Sequence, residues 1–390
     1  MATSPTLRAA SAQILRHTSR PKQTSLTLFP TTAACPGNCE SASVPSSLPE
    51  FAPPTSGAPG ANPRAAAELV GIARLAASSA CADARRGTEY FLLPVRSILN
   101  HCDSERVPFR LTVNPYRGCE FGCRYCYARY THEYMGLDGG EFERKIYIKQ
   151  NAGELMERDL ASEKIWGEHI AIGTATDPYQ PAEREFGATR AILERIAERE
   201  GLSVSITTKS NQVLRDRALL QKISERSELY VNISITTVRA RLARLLEPRA
   251  PRPDLRFEAV RKLREAGVAA GVNVMPVVPG LTDDEENLDA LARAARDAGA
   301  LWLSPNVLFL MPASQKQFLP FIEQKFPKLA RRYREWYGRA AYAPEAYRRE
   351  IAARIAALRQ KYGICSRPNA PVKRAWETPQ LPLALHAQHR

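Results

Sequence analysis

The sequence predicts an α/β protein with a parallel sheet, arranged as a partial, open TIM-type barrel of about six strands with a C-terminal helical extension. Two observations predict this fold. From residue 110 onward, apolar and mostly β-branched runs alternate with amphipathic segments, which is typical of strands buried on both faces. The runs recur about every thirty to forty residues, the length of one strand–helix–strand unit. Six strands are too few for a closed eight-stranded barrel, so an open one is expected.

The predicted strands are the apolar runs Arg110–Asn114, His169–Ala175, Ser203–Thr208, Leu229–Ile235, Gly271–Val278 and Leu301–Leu310. The helices between them are predicted from apolar spacing and from end signals. One helix starts near Pro181 and carries Phe186, Leu193 and Ile196. A second carries Phe257, Val260 and Leu263 and ends at Gly267. A third opens with Thr282 and Glu285 at capping-box spacing.

Composition indicates a globular protein with a sizeable core. The chain has 390 residues, of which 44% are hydrophobic and 25% charged. No apolar stretch is long enough to cross a bilayer, so a soluble protein without membrane contact is expected. Three of the eight cysteines fall within one short loop, which indicates metal ligation in a reducing compartment and so a cytoplasmic protein. The formal net charge of +14 is spread along the chain. It suits either a nucleic acid partner or a solvated, arginine-rich surface.

Three regions are predicted along the chain. Residues 1–65 are rich in Ala, Ser, Thr and Pro and are expected to form a disordered N-terminal extension. Because no acidic residue precedes Glu40, an organellar transit peptide is the alternative for this segment. Residues 66–310 are expected to hold the barrel core, and residues 311–390 a C-terminal helical region.

The C-terminal region interleaves aromatic and basic residues, and two interpretations follow. Such a pattern can bind nucleic acid, because basic side chains attract the phosphates and aromatic rings stack on the bases. It can also be a helical layer whose aromatic rings face inward while its arginines stay in water. Helical spacing alone explains the pattern, which favours the helical layer.

Three cysteines lie in one short loop directly after the first predicted strand, with C-x3-C-x2-C spacing: Cys119, Cys123 and Cys126. Gly118 and Gly122 let the backbone curl tightly around them. Three thiolates can hold three corners of a [4Fe–4S] cluster and leave the fourth iron open to a chelating molecule. The alternative is a structural zinc site completed by a more distant ligand. The sequence offers Cys102 and His132 for that position, but no second C-x2-C pair.

Polar residues follow the later strands, and parallel strands end at one edge of the sheet. Lys209 is the most informative of them, because a lysine at the end of a buried strand must reach an anion or water. Singly, each polar residue is more readily a turn or capping residue, but together they predict a ligand site. They lie in the segments Thr174–Pro181, Thr207–Ser210, Ser234–Thr237 and Met275–Gly280.

These motifs resemble a known family. The cysteine spacing, with Tyr125 as its aromatic residue, resembles the C-x3-C-x-aromatic-C signature of the radical S-adenosylmethionine superfamily. The Pro115–Cys119 entry, the Thr176–Pro181 run and the Thr-Lys-Ser strand end at Lys209 are similar to the spore photoproduct lyase-like branch. The similarity covers about residues 71–310 and is looser beyond them.

The resemblance implies a [4Fe–4S] cluster and S-adenosylmethionine as cofactors, reductive cleavage to a 5′-deoxyadenosyl radical, and a one-electron reductant such as flavodoxin or ferredoxin. By position it also implies how S-adenosylmethionine is held. Tyr125 would lie near the adenine, Thr176 and Lys209 at the carboxylate, and Ser234 near the ribose, while Asp177 would order the same strand end.

One departure from that branch bears on the substrate. Thr174 stands where the true lyases carry the cysteine that returns a hydrogen atom to the repaired thymine. A threonine O–H bond is too strong for that role. A radical enzyme on an unknown substrate therefore fits best, and no catalytic side chain is identified. DNA photoproduct repair, and a zinc-containing nucleic-acid-binding protein without catalysis, are the two alternatives.

Overall fold

The computed structural model describes residues 69–85, 87–104, 107–162, 165 and 167–366. The extension predicted over residues 1–65 lies outside the described residues, as do residues 367–390 of the predicted helical region. No helix in the described ranges is long and apolar enough to cross a membrane.

Eleven strands form two sheets. They are β1 (Ala80–Arg85), β2 (Thr88–Leu93), β3 (Leu99–His101), β4 (Leu111–Val113), β5 (Tyr116–Arg117), β6 (Lys145–Lys149), β7 (His169–Ile172), β8 (Ser203–Thr208), β9 (Glu228–Ser234), β10 (Ala269–Val277) and β11 (Leu303–Val307). The main sheet has the order β11-β10-β9-β8-β7-β4-β3. The strands from β4 to β11 in this sheet run parallel, and β3 pairs antiparallel with β4 at one edge.

The main sheet confirms the predicted α/β class. Each of its six parallel strands coincides with one predicted run, and β8 matches its prediction at both ends. The other strands differ from their predictions by a few residues at their ends, where hydrogen bonding to a neighbour rather than local composition decides the boundary.

The predicted burial of the parallel strands on both faces is found, but the side chains on the second face are polar. Side chains alternate between the faces of a strand. On β8, Val204 and Ile206 alternate with Ser205, and all three are at most 2% exposed. The same alternation on β9 and β10 leaves Asn232 and Asn273 buried on the second face. One face of the sheet is therefore apolar, and the other is a buried polar surface.

The second sheet was not predicted. Its order is β1-β2-β6-β5, with β2 and β6 parallel in a register that sets Glu89 opposite Lys145. Its strands are short and carry charged residues, so hydrophobic periodicity alone does not reveal them. This sheet matters for the site because β5 immediately precedes the first cysteine of the loop.

Helices connect the strands and complete the C-terminal region. They are α1 (Gly71–Ala77), α2 (Tyr130–Glu133), α3 (Ala152–Leu160), α4 (Glu183–Phe186), α5 (Ala188–Ile196), α6 (Arg217–Arg226), α7 (Ala240–Leu246), α8 (Pro253–Glu265), α9 (Glu285–Asp297), α10 (Pro312–Lys325), α11 (Pro327–Tyr337) and α12 (Glu345–Tyr362).

The predicted helices are found, with two corrections. The helix near Pro181 is two helices, α4 and α5, because Gly187 adopts a left-handed conformation (φ 59°) that interrupts the helix. The N-terminal cap of α9 is Asp284, whose carboxylate accepts from the Asn287 amide, and not Thr282. Gly267, after α8, has φ 78°, as expected for a C-terminal glycine.

The C-terminal helices form a layer with inward aromatic rings, as helical spacing favoured. Phe318, Tyr333 and Tyr337 are at most 1% exposed, whereas the side chains of Arg331 and Arg334 are 89% and 64% exposed. The Phe318 ring meets Tyr125 of the cysteine loop edge-on, with 6.3 Å between ring centroids. The helical layer therefore borders the site.

Candidate active site

The cysteine loop begins at a glycine that no other residue can replace without a shift of the backbone. Gly118 has φ 87°, and a Cβ atom there would lie 2.6 Å from the Lys145 carbonyl oxygen and 2.8 Å from that of Phe142. The Cys119 amide donates to the same Phe142 carbonyl at 3.0 Å. The loop is therefore seated directly on the segment that leads into β6.

The segment after β7 holds the loop from another side. The Gly118 carbonyl accepts from the Thr176 hydroxyl at 2.6 Å and from the Gln180 side-chain amide at 3.2 Å. The side-chain oxygen of Gln180 in turn accepts from the Glu120 backbone amide at 2.9 Å. The Glu120 carboxylate accepts from the Ala182 amide at 2.7 Å. These buried hydrogen bonds explain why a polar run at this strand end accompanies the cysteine motif.

A buried arginine supports the middle of the loop. Arg129 is 0% exposed and donates to the Cys123 carbonyl at 3.3 Å and to the Gly139 carbonyl at 3.0 Å. Its ion pair with Glu143 at 2.6 Å balances the buried charge. The backbone that carries Cys123 is thus fixed by a side chain that local sequence patterns did not single out.

The three thiols lie in the hydrophobic core or pack against it. Cys119 and Cys123 are each 8% exposed, and Cys126 is half-buried. Burial raises the pKa of all three thiols, and at Cys119 the other two cysteines raise it further. At Cys123 and Cys126 this effect is opposed by the positive charges of Lys209 and Arg129, respectively.

This donor set fits a multi-iron cluster. Each thiolate of a cubane binds a different iron, whereas the ligands of a zinc site share one ion. Within the described ranges, no three His, Cys, Asp or Glu side chains are placed to share one metal ion. His132, considered as a zinc ligand, lies buried with its Nε2 2.9 Å from the Lys145 carbonyl oxygen.

The aromatic residue of the motif is tied to a buried carboxylate. The Tyr125 hydroxyl donates to Glu247, which is 1% exposed and also accepts from Thr236 at 2.8 Å. Arg256 forms a hydrogen-bonded ion pair with the other oxygen of Glu247. Burial alone would raise the pKa of Glu247, but the charges of Arg256 and Lys209 outweigh it and lower the pKa to about 2. Glu247 is therefore ionised.

Lys209 enters the same cluster from the end of β8. Its Nζ lies 3.9 Å from a Glu247 carboxylate oxygen and 5.8 Å from the centroid of the Tyr125 ring. Its backbone is held by Asp177, whose carboxylate accepts from the Lys209 amide at 2.7 Å and from the Thr208 hydroxyl at 2.6 Å. Asp177 thus fixes the end of β8 through the backbone of Lys209 and the side chain of Thr208.

A polar row crosses the sheet beside Lys209. Asn273 of β10 is in register with Ser234 of β9 and Ser304 of β11. The pairing of Thr208 with Ile233 places Lys209 next to Ser234, so this face of the sheet looks toward the cysteine loop. Asn273 is 2% exposed, and its side-chain oxygen has no hydrogen-bond partner among the described residues. A buried acceptor of this kind is costly unless a ligand or water satisfies it.

The sequence-predicted site residues thus fall into two groups. Tyr125 and Lys209 meet at Glu247, whereas Thr176 and Asp177 hold backbone segments in place. The Ser234 carbonyl accepts from Arg256 at 3.0 Å. Sequence reasoning missed Glu247 and Arg256. Arg256 did carry a signal, because it shares the apolar stripe of α8 with Val260 and Leu263, where a charge must be paired.

Comparison with known proteins identifies the family. The model of the radical SAM superfamily matches residues 113–292, which include the whole cysteine loop. An uncharacterized protein of Mycobacterium tuberculosis is 34% identical over 280 residues, covering 71% of this chain and 82% of that protein. An uncharacterized protein of Methanocaldococcus jannaschii is 32% identical over 176 residues, covering 45% of this chain and 63% of that protein.

Solved structures share the fold. A mutant of spore photoproduct lyase superposes with a TM-score of 0.52 at 18% identity, covering 70% of this chain and 79% of the lyase. A lyase structure with bound AdoMet and dinucleoside spore photoproduct gives the same TM-score at 17% identity, with the same coverage. The family match and the identity to the mycobacterial protein lead to one conclusion: this chain belongs to the radical S-adenosylmethionine superfamily and is a radical S-adenosylmethionine enzyme.

Proposed function

We propose that Cys119, Cys123 and Cys126 hold a [4Fe–4S] cluster and that the enzyme uses it for radical chemistry on a substrate that is not yet identified. When bound, the cluster would supply the electron that cleaves S-adenosylmethionine into methionine and a 5′-deoxyadenosyl radical, which takes a hydrogen atom from the substrate. The observation that carries this proposal is the set of three thiols, two buried and one half-buried, on a loop anchored by Gly118 and Arg129.

The chain's own residues support a specific way of holding S-adenosylmethionine. Lys209 lies 3.9 Å from Glu247, which is too long for a hydrogen bond, so its ammonium group has donors left for the carboxylate of a bound molecule. Ser234 and Asn273 lie on the face of the sheet that looks toward the loop. The unpaired Asn273 oxygen suits a hydroxyl or amine donor of the bound molecule. Tyr125, fixed by Glu247, presents its ring toward the same space.

We further propose that the main sheet curves into a partial barrel, with residues 66–310 as the core, and that the enzyme works in the reducing cytoplasm. The fold likeness to spore photoproduct lyase supports the barrel. Flavodoxin or ferredoxin is the proposed electron donor.

DNA photoproduct repair is the second candidate function, favoured by the fold likeness to a lyase with bound dinucleoside spore photoproduct and by the net charge of +14. Against it stands Thr174, whose hydroxyl lies 3.0 Å from the Asn114 side-chain nitrogen and whose carbonyl accepts from Tyr127. Thr174 forms hydrogen bonds with residues on both sides of the three cysteines, and it has no thiol to donate a hydrogen atom. The first candidate is therefore preferred.

The test is anaerobic reconstitution followed by reduction in the presence of S-adenosylmethionine. We expect about four irons per chain and release of 5′-deoxyadenosine. Cys123→Ala should lose both, whereas Cys102→Ala, which removes a free thiol outside the loop, should keep both. Cleavage that survives in Cys123→Ala would refute the ligand assignment. Adding DNA that contains spore photoproduct distinguishes the candidates, since restored thymine would support repair.

A further inference from the structure

Two basic side chains share one face of the second sheet, which has the order β1-β2-β6-β5. Arg117 of β5 pairs antiparallel with Tyr147 of β6, and the Lys149 amide donates to the Pro115 carbonyl at 3.1 Å. Because side chains alternate along a strand, Arg117, Tyr147 and Lys149 point to the same side. Arg117 and Lys149 are diagonal neighbours in this ladder, a separation that long side chains can span.

At Tyr147 and Lys149 this face is buried, and an apolar cluster covers Tyr147. Lys149 is 4% exposed and Tyr147 is 3% exposed, and Tyr147 packs with Leu93 and Met135. Lysines are almost never buried to this extent without a partner of opposite charge. The surroundings of Lys149 therefore require an explanation.

No protein group supplies that partner within the described part of the chain. Neither Arg117 nor Lys149 lies within 4.0 Å of a carboxylate oxygen there, and the buried Arg117 Nε has no hydrogen-bond partner. Asp159 is the acid whose charge acts on Lys149, but its carboxylate already accepts from the Ser97 hydroxyl at 2.7 Å and from the Ile98 amide at 2.8 Å. The two cations thus repel each other, and Asp159 offsets this repulsion only in part.

We propose that Arg117 and Lys149 form a binding site for a small oxyanion, a phosphate or carboxylate group of a free small molecule. A guanidinium offers such a group a planar pair of donors, and an ammonium adds a point charge. Bound there, the anion would satisfy the Arg117 nitrogen and neutralise both cations. Since Arg117 lies two residues before Cys119, occupancy would also steady the entry to the cysteine loop.

The test uses the reconstituted, full-length protein with inorganic phosphate as the probe, at constant ionic strength with chloride as the balancing anion. We expect phosphate to raise the melting temperature of the natural protein by about 3 °C or more at saturation. Lys149→Met should abolish that rise. Its matched control is Lys145→Met, on the same strand and face, because Lys145 is already paired with Glu141 at 2.8 Å.

The control variant should retain the phosphate effect in full. The proposal is overturned if the natural protein shows no phosphate-dependent rise, or if Lys149→Met keeps it. Should Lys149→Met not fold, Arg117→Gln takes its place, and a rise that persists in that variant overturns the proposal equally. Titration calorimetry with phosphate gives a second readout that depends on the site and not on cluster activity.

Discussion

The hydroxyl of Tyr125, in the cysteine loop, donates to the carboxylate of Glu247, which lies 122 residues further along the chain. This contact joins the loop to the region after α7, and Arg256 balances its charge from α8. The buried carboxylate therefore does two things at once. It fixes the aromatic ring of the motif, and it holds Lys209 at a distance from which the lysine can turn to a bound anion.

Replacing Glu247 with Gln should destabilise the protein markedly. The variant keeps a hydrogen-bonding side chain but leaves Arg256, which is 1% exposed, as a buried charge without a counterion. Breaking such a pair typically costs about 3 kcal/mol. Denaturant unfolding of anaerobic protein measures the loss. Glu258→Gln, which affects only exposed pairs with Arg261 and Lys262, is the control and should change little. Equal stability of both variants would contradict the role of Glu247.

Lys209→Ala should weaken binding of S-adenosylmethionine without loss of the cluster. Removing one charge-assisted hydrogen bond raises the dissociation constant about tenfold. Equilibrium binding to reconstituted protein measures the constant, and iron analysis checks the cluster. Lys262→Ala, which removes a surface lysine paired with Glu258, should bind normally. An unchanged constant in Lys209→Ala would show that the lysine serves only Glu247.

Gly118→Ala should prevent the loop from retaining its cluster. The added methyl group would lie 2.6 Å from the Lys145 carbonyl oxygen, so the backbone that carries Cys119 must move. Gly87→Ala is a matched control, because Gly87 also has positive φ (77°) but has nothing within 4 Å of the added atom. Iron content per chain after identical reconstitution compares the two. Full iron content in Gly118→Ala would mean that the loop tolerates this shift.

The stability of the protein should depend on pH through Lys149. Burial and, after it, the charge of Arg117 lower the pKa of Lys149 to about 7. The unfolded chain keeps a lysine pKa of about 10.4, so between about pH 7 and pH 10 it binds more protons than the folded protein. Stability therefore rises with pH across this window. Below pH 7, Lys149 is protonated in the folded protein as well, and the full cost of burying its charge lowers the free energy of unfolding.

Lys149→Met removes that penalty. The variant should be more stable than the natural protein by at least about 2 kcal/mol at pH 6, with the difference vanishing near pH 10. Unfolding in buffers free of phosphate and sulfate measures it. Lys145→Met should show no such trend, because Lys145 is partly exposed and ion-paired. A difference that stays flat with pH would indicate that the charge of Lys149 is compensated in the folded protein.

Much of the fold could be predicted because its signals are local. The run Ser203–Thr208 is a strand in both the prediction and the structure, since β-branched residues in an unbroken run favour a buried strand wherever it lies. The helix near Pro181 was predicted as one element because its apolar spacing continues across Gly187. The break depends on the left-handed conformation that this glycine adopts, which periodicity does not report.

The sequence by itself determined the α/β class, the positions of the six parallel strands along the chain and the loop that carries Cys119, Cys123 and Cys126. These features follow from composition, period and spacing within a few tens of residues. Only the tertiary structure decided that Tyr125 meets Glu247, that Thr176 and Gln180 clamp Gly118, and that Lys149 lies buried beside Arg117. From the sequence alone, a charged residue is expected at the surface. Whether it is buried, and which residue pairs with it, depends on contacts between segments far apart in the chain.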